Sequence, residues 1–186
     1  MPTRRDLLLA VFLLATFRSA QGGDGATRRD ELFARLRQST TEHEGRLAED
    51  AVWRMWMEMA PSRKIAAAVS EAMRARESYD FDKALTILDG VVIQAPQYAE
   101  GWNQRAFVRF LKEDHDGALQ DIDRALQLEP KHFAALAGKA MILMRQGRVE
   151  VGQAALRQAV DIHPWLRERS MLLSPVEPPS DKGRDI

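Results

Sequence analysis

Three prolines, Pro96, Pro130 and Pro164, follow one another at intervals of 34 residues. Other residue types recur in the same phase and divide this part of the chain into three units. The units cover residues 65–98, 99–132 and 133–166. Because so many positions share one period, the sequence predicts one structural unit that is repeated three times.

Small and apolar residues recur at fixed positions of each unit. These are the eighth (Ala72, Ala106, Ala140), the twentieth (Ala84, Ala118, Gly152) and the twenty-fourth (Leu88, Ile122, Leu156). Two antiparallel helices cross closely only where their side chains are small, since larger ones would overpack the crossing. Proline then ends the second helix, because its ring fixes φ and its nitrogen cannot donate a hydrogen bond. We therefore expect helical hairpins that bury their apolar faces by stacking on one another.

This arrangement of small, apolar and proline positions resembles the tetratricopeptide repeat (TPR), a 34-residue helix-turn-helix unit. The resemblance covers residues 65–166 and implies an all-α fold, a right-handed solenoid of three hairpins. The seventh position, where the family favours leucine, carries Glu71, Arg105 and Lys139. The first unit is the weakest match, and we expect it to pack least tightly.

The N-terminus has the pattern of an export signal. Arg4 and Arg5 precede an uncharged apolar run at 7–17, which is shorter than the roughly 20 residues that span a bilayer. Small residues then surround Gly22, so the sequence predicts a signal peptide at 1–22 and export, to a bacterial periplasm. The twin-arginine and general secretory routes both fit this segment. A retained anchor or a buried helix is the alternative.

The segments around the repeats have different predicted roles. They are a flexible glycine joint at 23–27, an N-terminal helical hairpin at 28–61, a short capping helix at 167–173 and a disordered tail at 174–186. The hairpin carries an apolar stripe with helical spacing that includes Trp53 and Trp56, and Pro61 ends it. We expect a degenerate repeat that covers the open edge of the first unit. The alternative is that the two tryptophans form a binding surface.

Charge and cysteine content exclude several functions. The formal net charge is zero, and removal of the leader takes away three arginines and one aspartate, which leaves a slightly acidic chain. Such a balance argues against binding to nucleic acids, which require a basic surface. The chain has no cysteine, which excludes disulfides, thiol catalysis and cysteine metal sites. After removal of the signal we expect no stable membrane insertion.

No set of residues has a spacing suited to catalysis or to cofactor binding. The four histidines fall in different predicted elements, and no pair has the spacing of a helical metal site. Asp114, His115 and Asp116 are the nearest approach to a metal ligand cluster, but Asp114 precedes a helix and suits an N-cap. We therefore expect no enzymatic activity, no cofactor and no bound metal.

The resemblance also implies a binding surface. In TPR proteins the first helices of successive repeats line a concave groove that holds a peptide or a helix of a partner. The groove positions that match here include Val69, Met73, Asn103, Phe107, Phe110, Met141 and Met144. Methionine adapts to irregular partners, so this surface favours an apolar protein segment.

One known type of groove does not match. Chaperone cofactors of the TPR family hold an acidic C-terminus with lysine, asparagine and arginine. The matching positions here are Val69, Met73, Gln104, Ala134 and Gly138, which cannot hold a carboxylate. The expected function is that of a non-catalytic scaffold for an unidentified protein or peptide. Two alternatives stay open: an envelope component that self-associates into homo-oligomers, and a groove that the chain's own flanking segments fill.

Overall fold

The computed structural model describes residues 20–173, with side chains from residue 27. The predicted tail and most of the predicted signal peptide lie outside these residues. Within them the chain forms eight α-helices and one 3₁₀ helix, without strands. The α-helices are α1 (Ala20–Gln38), α2 (Glu42–Glu58), α3 (Arg63–Glu77), α4 (Phe81–Gln94), α5 (Ala99–Leu111), α6 (His115–Leu128), α7 (Phe133–Arg145) and α8 (Val149–Ile162). The predicted all-α class is confirmed.

The three predicted units are three helical hairpins: α3 with α4, α5 with α6, and α7 with α8. The second helix of each hairpin packs against the first helix of the next. Each second helix ends two residues before its proline, at Gln94, Leu128 and Ile162. The prolines thus end the helices where the period predicts.

The hairpins cross closely at the predicted small residues. Ala106 and Ala118 face each other in the second hairpin and are 2% and 0% exposed. In the third hairpin, a Cβ built on Gly152 would lie 2.9 Å from the carbonyl oxygen of Ala140 and 2.6 Å from the Met144 Cγ. The crossing therefore has no room for larger side chains.

The two basic residues at the seventh position, Arg105 and Lys139, pair with aspartates of neighbouring helices. The Arg105 guanidinium donates to both carboxylate oxygens of Asp121, at 2.8 and 2.7 Å, and to Asp89 of the preceding hairpin at 2.8 Å. Lys139 pairs in the same way with Asp123, at 2.6 Å. Ion pairs between hairpins thus take the place of the leucine that the family favours.

The turn inside each hairpin requires a residue with left-handed backbone conformation, at the fifteenth position of the 34-residue repeat. Tyr79 and Glu113 adopt φ values of 63° and 64°, and Gly147 has a φ of 79°. Only glycine adopts this conformation without steric strain, so the third turn is the least strained of the three.

Helix α1 runs through residues 23–27, and the predicted flexible joint is therefore wrong. Its Phe33 and Leu36 side chains pack into the core, which anchors the helix at its C-terminal half. Once a helix is nucleated, each further residue gains one backbone hydrogen bond. The glycines therefore extend the helix despite their low propensity.

The N-terminal hairpin, α1 with α2, packs against the third repeat, and the prediction that it covers the first repeat is wrong. Phe33, Val52 and Trp56 share one core with Phe133 and Leu156. Positions Ala67 and Glu71, where a preceding hairpin would contact the first repeat, are exposed. An alanine and a charged side chain offer little apolar surface there, whereas the third repeat offers a large one.

The segment after α8 is a 3₁₀ helix, Arg167–Met171, in place of the predicted capping helix at 167–173. Gln153 holds it: its side-chain amide donates to the Met171 carbonyl and accepts from the backbone N–H of Leu173, both at 2.9 Å. These bonds keep the segment close to α8. Among the helices of residues 20–173, none combines the length and the hydropathy needed to cross a membrane.

Candidate functional site

The first helices of the repeats, α3, α5 and α7, line the concave side of the array, and α2 crosses part of it. The sulfur of Met57, in α2, lies 3.9 Å from the hydroxyl oxygen of Tyr98 in the first repeat. Glu49 stands eight residues before Met57 in the same helix, and its carboxylate lies 3.3 Å from the Nε2 atom of His163 at the end of the third repeat. Helix α2 therefore bridges the first and last repeats. The groove is filled in part by the chain's own flank.

A cavity of about 350 Å³ remains between α2, the three first helices and the C-terminal segment. Its walls include Glu49, Trp53, Met73, Arg76, Asn103, Phe107, Phe110, Met141, Leu166 and Glu168. The ninth position of every repeat contributes to it, as Met73, Phe107 and Met141. Phe107 is 45% exposed, and among the aromatic residues of the described range 27–173 only Tyr79 is more exposed. We call this space the concave cavity.

Five of the seven predicted groove residues line the concave cavity, namely Met73, Asn103, Phe107, Phe110 and Met141. Val69 does not, because its side chain is fully buried among Val91, Ala95 and Tyr98. It occupies the fifth position, which is buried in all three repeats. Met144 is half-buried against the core that the N-terminal hairpin shares with the third repeat, and its sulfur lies 3.0 Å from the side-chain nitrogen of Gln153. These two residues are therefore part of the packing.

Arg76 is the cation of the concave cavity. Its guanidinium lies 4.7 Å from the centre of the Phe107 ring and donates a 2.6 Å hydrogen bond to the side-chain oxygen of Gln104. Burial lowers the pKa of Arg76, while the charges of Glu77 and Glu100 oppose that shift. With both π and hydrogen-bond partners, the guanidinium is held in one place at the cavity wall.

A buried polar network lies behind the cavity at the start of α5. The Glu100 carboxylate is 1% exposed and accepts from the side-chain amides of Gln104, at 2.5 Å, and Asn103, at 3.3 Å. The Nε2 atom of His132 lies 3.0 Å from the same carboxylate. The His132 Nδ1 accepts from the backbone N–H of Ala135, so its Nε2 carries the proton and donates to Glu100.

The two tryptophans of α2 have different environments. The Trp56 ring is buried and stacks on the His132 ring, with centroids 3.9 Å apart and an interplanar angle of 13°. Trp53 is half-buried, meets Phe133 edge to face and lines the concave cavity. Core packing thus accounts for Trp56, while Trp53 takes part in the site.

Glu49 is tied to the third repeat by His163. The hydrogen bond from His163 lowers the pKa of Glu49 below its usual value, and burial opposes that shift. His163 itself is 1% exposed, and its Nδ1 has no hydrogen-bond partner. The Glu49 carboxylate thus contacts a histidine of which only one ring nitrogen, Nε2, has a hydrogen-bond partner.

The acidic cluster at Asp114 has a structural role. The Asp114 carboxylate accepts from the backbone N–H of Gly117 at 3.0 Å and caps α6, as predicted. The neighbouring His115 ring meets Phe110 edge to face. Nowhere in residues 20–173 do three or more histidine, aspartate or glutamate side chains gather in an arrangement that could hold a metal ion.

Three residues of the site, Glu49, Glu100 and His132, escape prediction from the sequence. Glu100 stands three and four residues before Asn103 and Gln104, a spacing that places the three side chains on one helix face. That pattern could have indicated a polar cluster. Nothing local indicates the pairing of Glu49 with His163, because the two residues are 114 positions apart in the sequence.

Similar sequences agree with the repeat pattern. The family model described as tetratricopeptide repeat matches residues 109–165. A TPR repeat-containing protein of Rhizobium etli is 31% identical over 137 residues, which cover 74% of this chain and 67% of that protein. Tetratricopeptide repeat protein 36 of Homo sapiens is 27% identical over 110 residues, 56% of this chain and 58% of its own length.

Solved structures share the fold. One is the first TPR of Spaghetti (RPAP3) bound to the HSP90 peptide SRMEEVD, with a TM-score of 0.57, 14% identity and coverage of 60% of this chain and 89% of that one. Another is the TPR2B domain of yeast Sti1 in complex with pHsp70, with a TM-score of 0.53, 21% identity and coverage of 54% and 81%. At these identities the likeness concerns the fold alone.

Proposed function

The chain belongs to the tetratricopeptide repeat family, and we propose that it is an exported, non-catalytic interaction module whose concave cavity receives apolar side chains of a partner protein. The observation that carries this proposal is the exposed Phe107 ring between Met73 and Met141. Exposed aromatic and methionine side chains that line a concavity are typical of binding surfaces.

The size of the concave cavity limits what it can receive. One turn of helix, a cylinder about 10 Å across and about 5.4 Å high, occupies roughly 420 Å³. The cavity holds about 350 Å³. A space of this size, open on one side, suits one or two bulky side chains of a segment that lies across its mouth.

The charges around the cavity favour an apolar partner over an acidic one. Arg76 is the basic residue of the lining, and it already interacts with Gln104 and Phe107. Glu49 and Glu168 place two carboxylates on the same lining. An acidic peptide would meet both of these charges, so we propose a partner segment with neutral, bulky apolar side chains.

The test replaces Phe107 and Met141 together by serine. Cross-linking in intact cells identifies the partner, and the purified partner is then titrated against the variant. The loss of two central contacts, at about 2 kcal/mol each, lowers the affinity by at least about a hundredfold. The matched control replaces Ile93 and Val151, two exposed apolar residues of the second helices, and should bind normally.

The melting temperature and helix content of both double variants show whether folding is preserved. Unchanged affinity in a folded Phe107→Ser, Met141→Ser protein would remove the concave cavity from contention. A mass in solution that rises with protein concentration would instead assign the surface to a second copy, as an envelope component that self-associates.

Export is supported by Arg4, Arg5 and the apolar run at 7–17. The intact mass of the protein recovered from the periplasm should match a chain that begins near Gly23. A full-length chain in the cytoplasm would contradict export. Changing Arg4 and Arg5 to lysine distinguishes the two routes, because only the twin-arginine route depends on that pair.

A further inference from the structure

We propose that the concave cavity also binds a small organic ammonium ion with an apolar body, held between aromatic rings and two carboxylates that the flanking segments contribute. The carboxylates belong to Glu49 of α2 and to Glu168 of the segment after α8, and both line the cavity. This proposal goes beyond the partner proposal, because it concerns a free small molecule and needs no partner protein.

One wall of the cavity comes from segments that a plain repeat array lacks. It consists of Glu49 and Trp53 of α2 and Glu168 of the C-terminal segment, and we call it the flank wall. Glu49 and Trp53 stand four positions apart in α2, so their side chains share one helix face. The flank wall therefore closes part of an open groove and adds two negative charges to it.

Contacts between the flanking segments hold the flank wall in place. The Trp165 Nε1 donates to the Ser39 carbonyl at 2.9 Å, which joins the segment after α8 to the turn between α1 and α2. The Glu49 carboxylate lies 3.3 Å from the His163 Nε2. The Gln153 side chain bonds the backbone at the end of the 3₁₀ helix. A site that is fixed before its ligand arrives loses little conformational entropy on binding.

Glu168 is a carboxylate of the cavity without a partner. The side chain is half-buried, and within residues 27–173 it forms no hydrogen bond or ion pair. The basic residue of the lining, Arg76, does not neutralise it, because the charges of Glu77 and Glu100 already act on that guanidinium. The negative charge of Glu168 is therefore available to a ligand.

Glu49 adds the second negative charge. The hydrogen bond from His163 lowers the pKa of Glu49, so this carboxylate is ionised at neutral pH. The charge of Arg167 also acts on Glu49, but the Arg167 side chain is exposed and does not belong to the lining. Opposite charges attract more strongly in a partly enclosed cavity than in water, because the local dielectric constant is lower.

Aromatic rings of the cavity suit an alkylated ammonium group. Trp53, Phe107 and Phe110 line the cavity, and each is at least partly exposed. The face of an aromatic ring attracts a cation, and tryptophan does so most strongly. Phe107 already holds one cation, since the Arg76 guanidinium lies 4.7 Å from the centre of its ring. The rings of Trp53 and Phe110 thus remain for a ligand, close to the carboxylates.

The volume of the cavity suits a small molecule. Sites for small ligands commonly hold about 300–1,000 Å³ and combine apolar walls with a few polar groups. The concave cavity holds about 350 Å³, and most of its lining is apolar. A ligand with one ring and one ammonium group therefore fits the space.

Calorimetric titration of the full chain with benzyltrimethylammonium tests the proposal. The matched ligand is the uncharged analogue in which a tert-butyl group replaces the trimethylammonium group. We expect saturable binding of the cation and at least about tenfold weaker binding of the analogue, because rings and carboxylates attract only the charge. Equal affinity for the two ligands, or no binding of the cation, would overturn the proposal.

Glu168→Gln tests the flank wall. We expect this change to weaken binding of the cation by about fivefold or more, because it removes one charge of the pair. The control is Glu150→Gln, which changes an exposed carboxylate of α8 outside the lining and should bind as the unmodified chain does. Both variants should melt as the unmodified chain does. Unchanged affinity in Glu168→Gln would place the cation elsewhere and overturn the proposal.

Proton NMR of the ligand gives an independent measurement. The N-methyl signals should move upfield on binding, because the methyl groups lie over aromatic rings, and Trp53→Leu should reduce this shift. An unshifted signal from the bound cation would contradict the proposed site. Cation binding that fails while the partner still depends on Phe107 and Met141 would remove this proposal alone. Unchanged partner affinity in the Phe107→Ser, Met141→Ser protein would remove only the partner proposal.

Discussion

Replacing His132 by phenylalanine should lower the free energy of unfolding by about 2.5–4 kcal/mol. Phenylalanine retains a planar ring that can stack on Trp56, but it loses both hydrogen bonds of the imidazole. The change therefore isolates the polar role of a side chain that is fully buried.

Two lost bonds make up the expected magnitude. His132 caps α7 by accepting from the Ala135 N–H at 3.3 Å, and loss of an N-cap costs about 1 kcal/mol. Its Nε2 donates to the Glu100 carboxylate at 3.0 Å, and a hydrogen bond to a charged group contributes about 1.5–3 kcal/mol. Two other donors, from Asn103 and Gln104, keep Glu100 from being left without partners.

The assay is chemical denaturation followed by circular dichroism, with His115→Phe as the matched control. His115 meets Phe110 edge to face, and its Nε2 is buried without a hydrogen-bond partner, so phenylalanine there should change the stability by less than about 1 kcal/mol. Equal losses in the two variants would refute the reasoning, because ring replacement alone would then explain the effect of the change at His132.

Three further predictions concern backbone space and charge. Gly152→Ala should lower the free energy of unfolding by about 1–2 kcal/mol, and with it the melting temperature, because the new Cβ would lie 2.6 Å from the Met144 Cγ and 2.9 Å from the Ala140 carbonyl oxygen. Gly138→Ala should raise the free energy of unfolding by up to about 1 kcal/mol, since its Cβ would make one ordinary contact, with Ile122. Gly147→Ala should cost about 1 kcal/mol in denaturant unfolding, because an alanine at a φ of 79° is strained. The lowered pKa of Glu49 contributes stability that is fully present above pH 4.5 and is lost as the pH falls through the lowered pKa. Acid should therefore loosen the N-terminal hairpin, and the acid transition followed by tryptophan fluorescence should be weaker in Glu49→Gln than in the unmodified protein.

The repeats could be predicted from sequence because their determinants are local. The prolines stop helices within two residues, and small residues such as Ala106 and Ala118 mark the crossing of helices that are neighbours along the chain. The register also placed Phe107 and Met141 at the concave cavity. It misplaced Val69, because this side chain packs between α3 and α4 against Val91 and Ala95, which the pattern of residue types does not reveal.

The position of the N-terminal hairpin could not be predicted, because its contacts are distant in sequence. The apolar stripe that includes Val52 and Trp56 predicts that α2 is buried, but a periodic stripe does not specify which surface buries it. Burial on the third repeat depends on His132 and Phe133. For the same reason the sequence leaves open whether the chain's own flanking segments fill the groove.

The hairpin changes how the repeat array holds together. In an open array each repeat contacts only its neighbours, so stability is a sum of local terms and the ends can fray. Here Arg29 contacts Glu129 at the end of the second repeat, and Glu49 contacts His163 at the end of the third, so the N-terminal segment is tied to the last two repeats. Fraying of α8 must therefore break contacts with α1 and α2 as well.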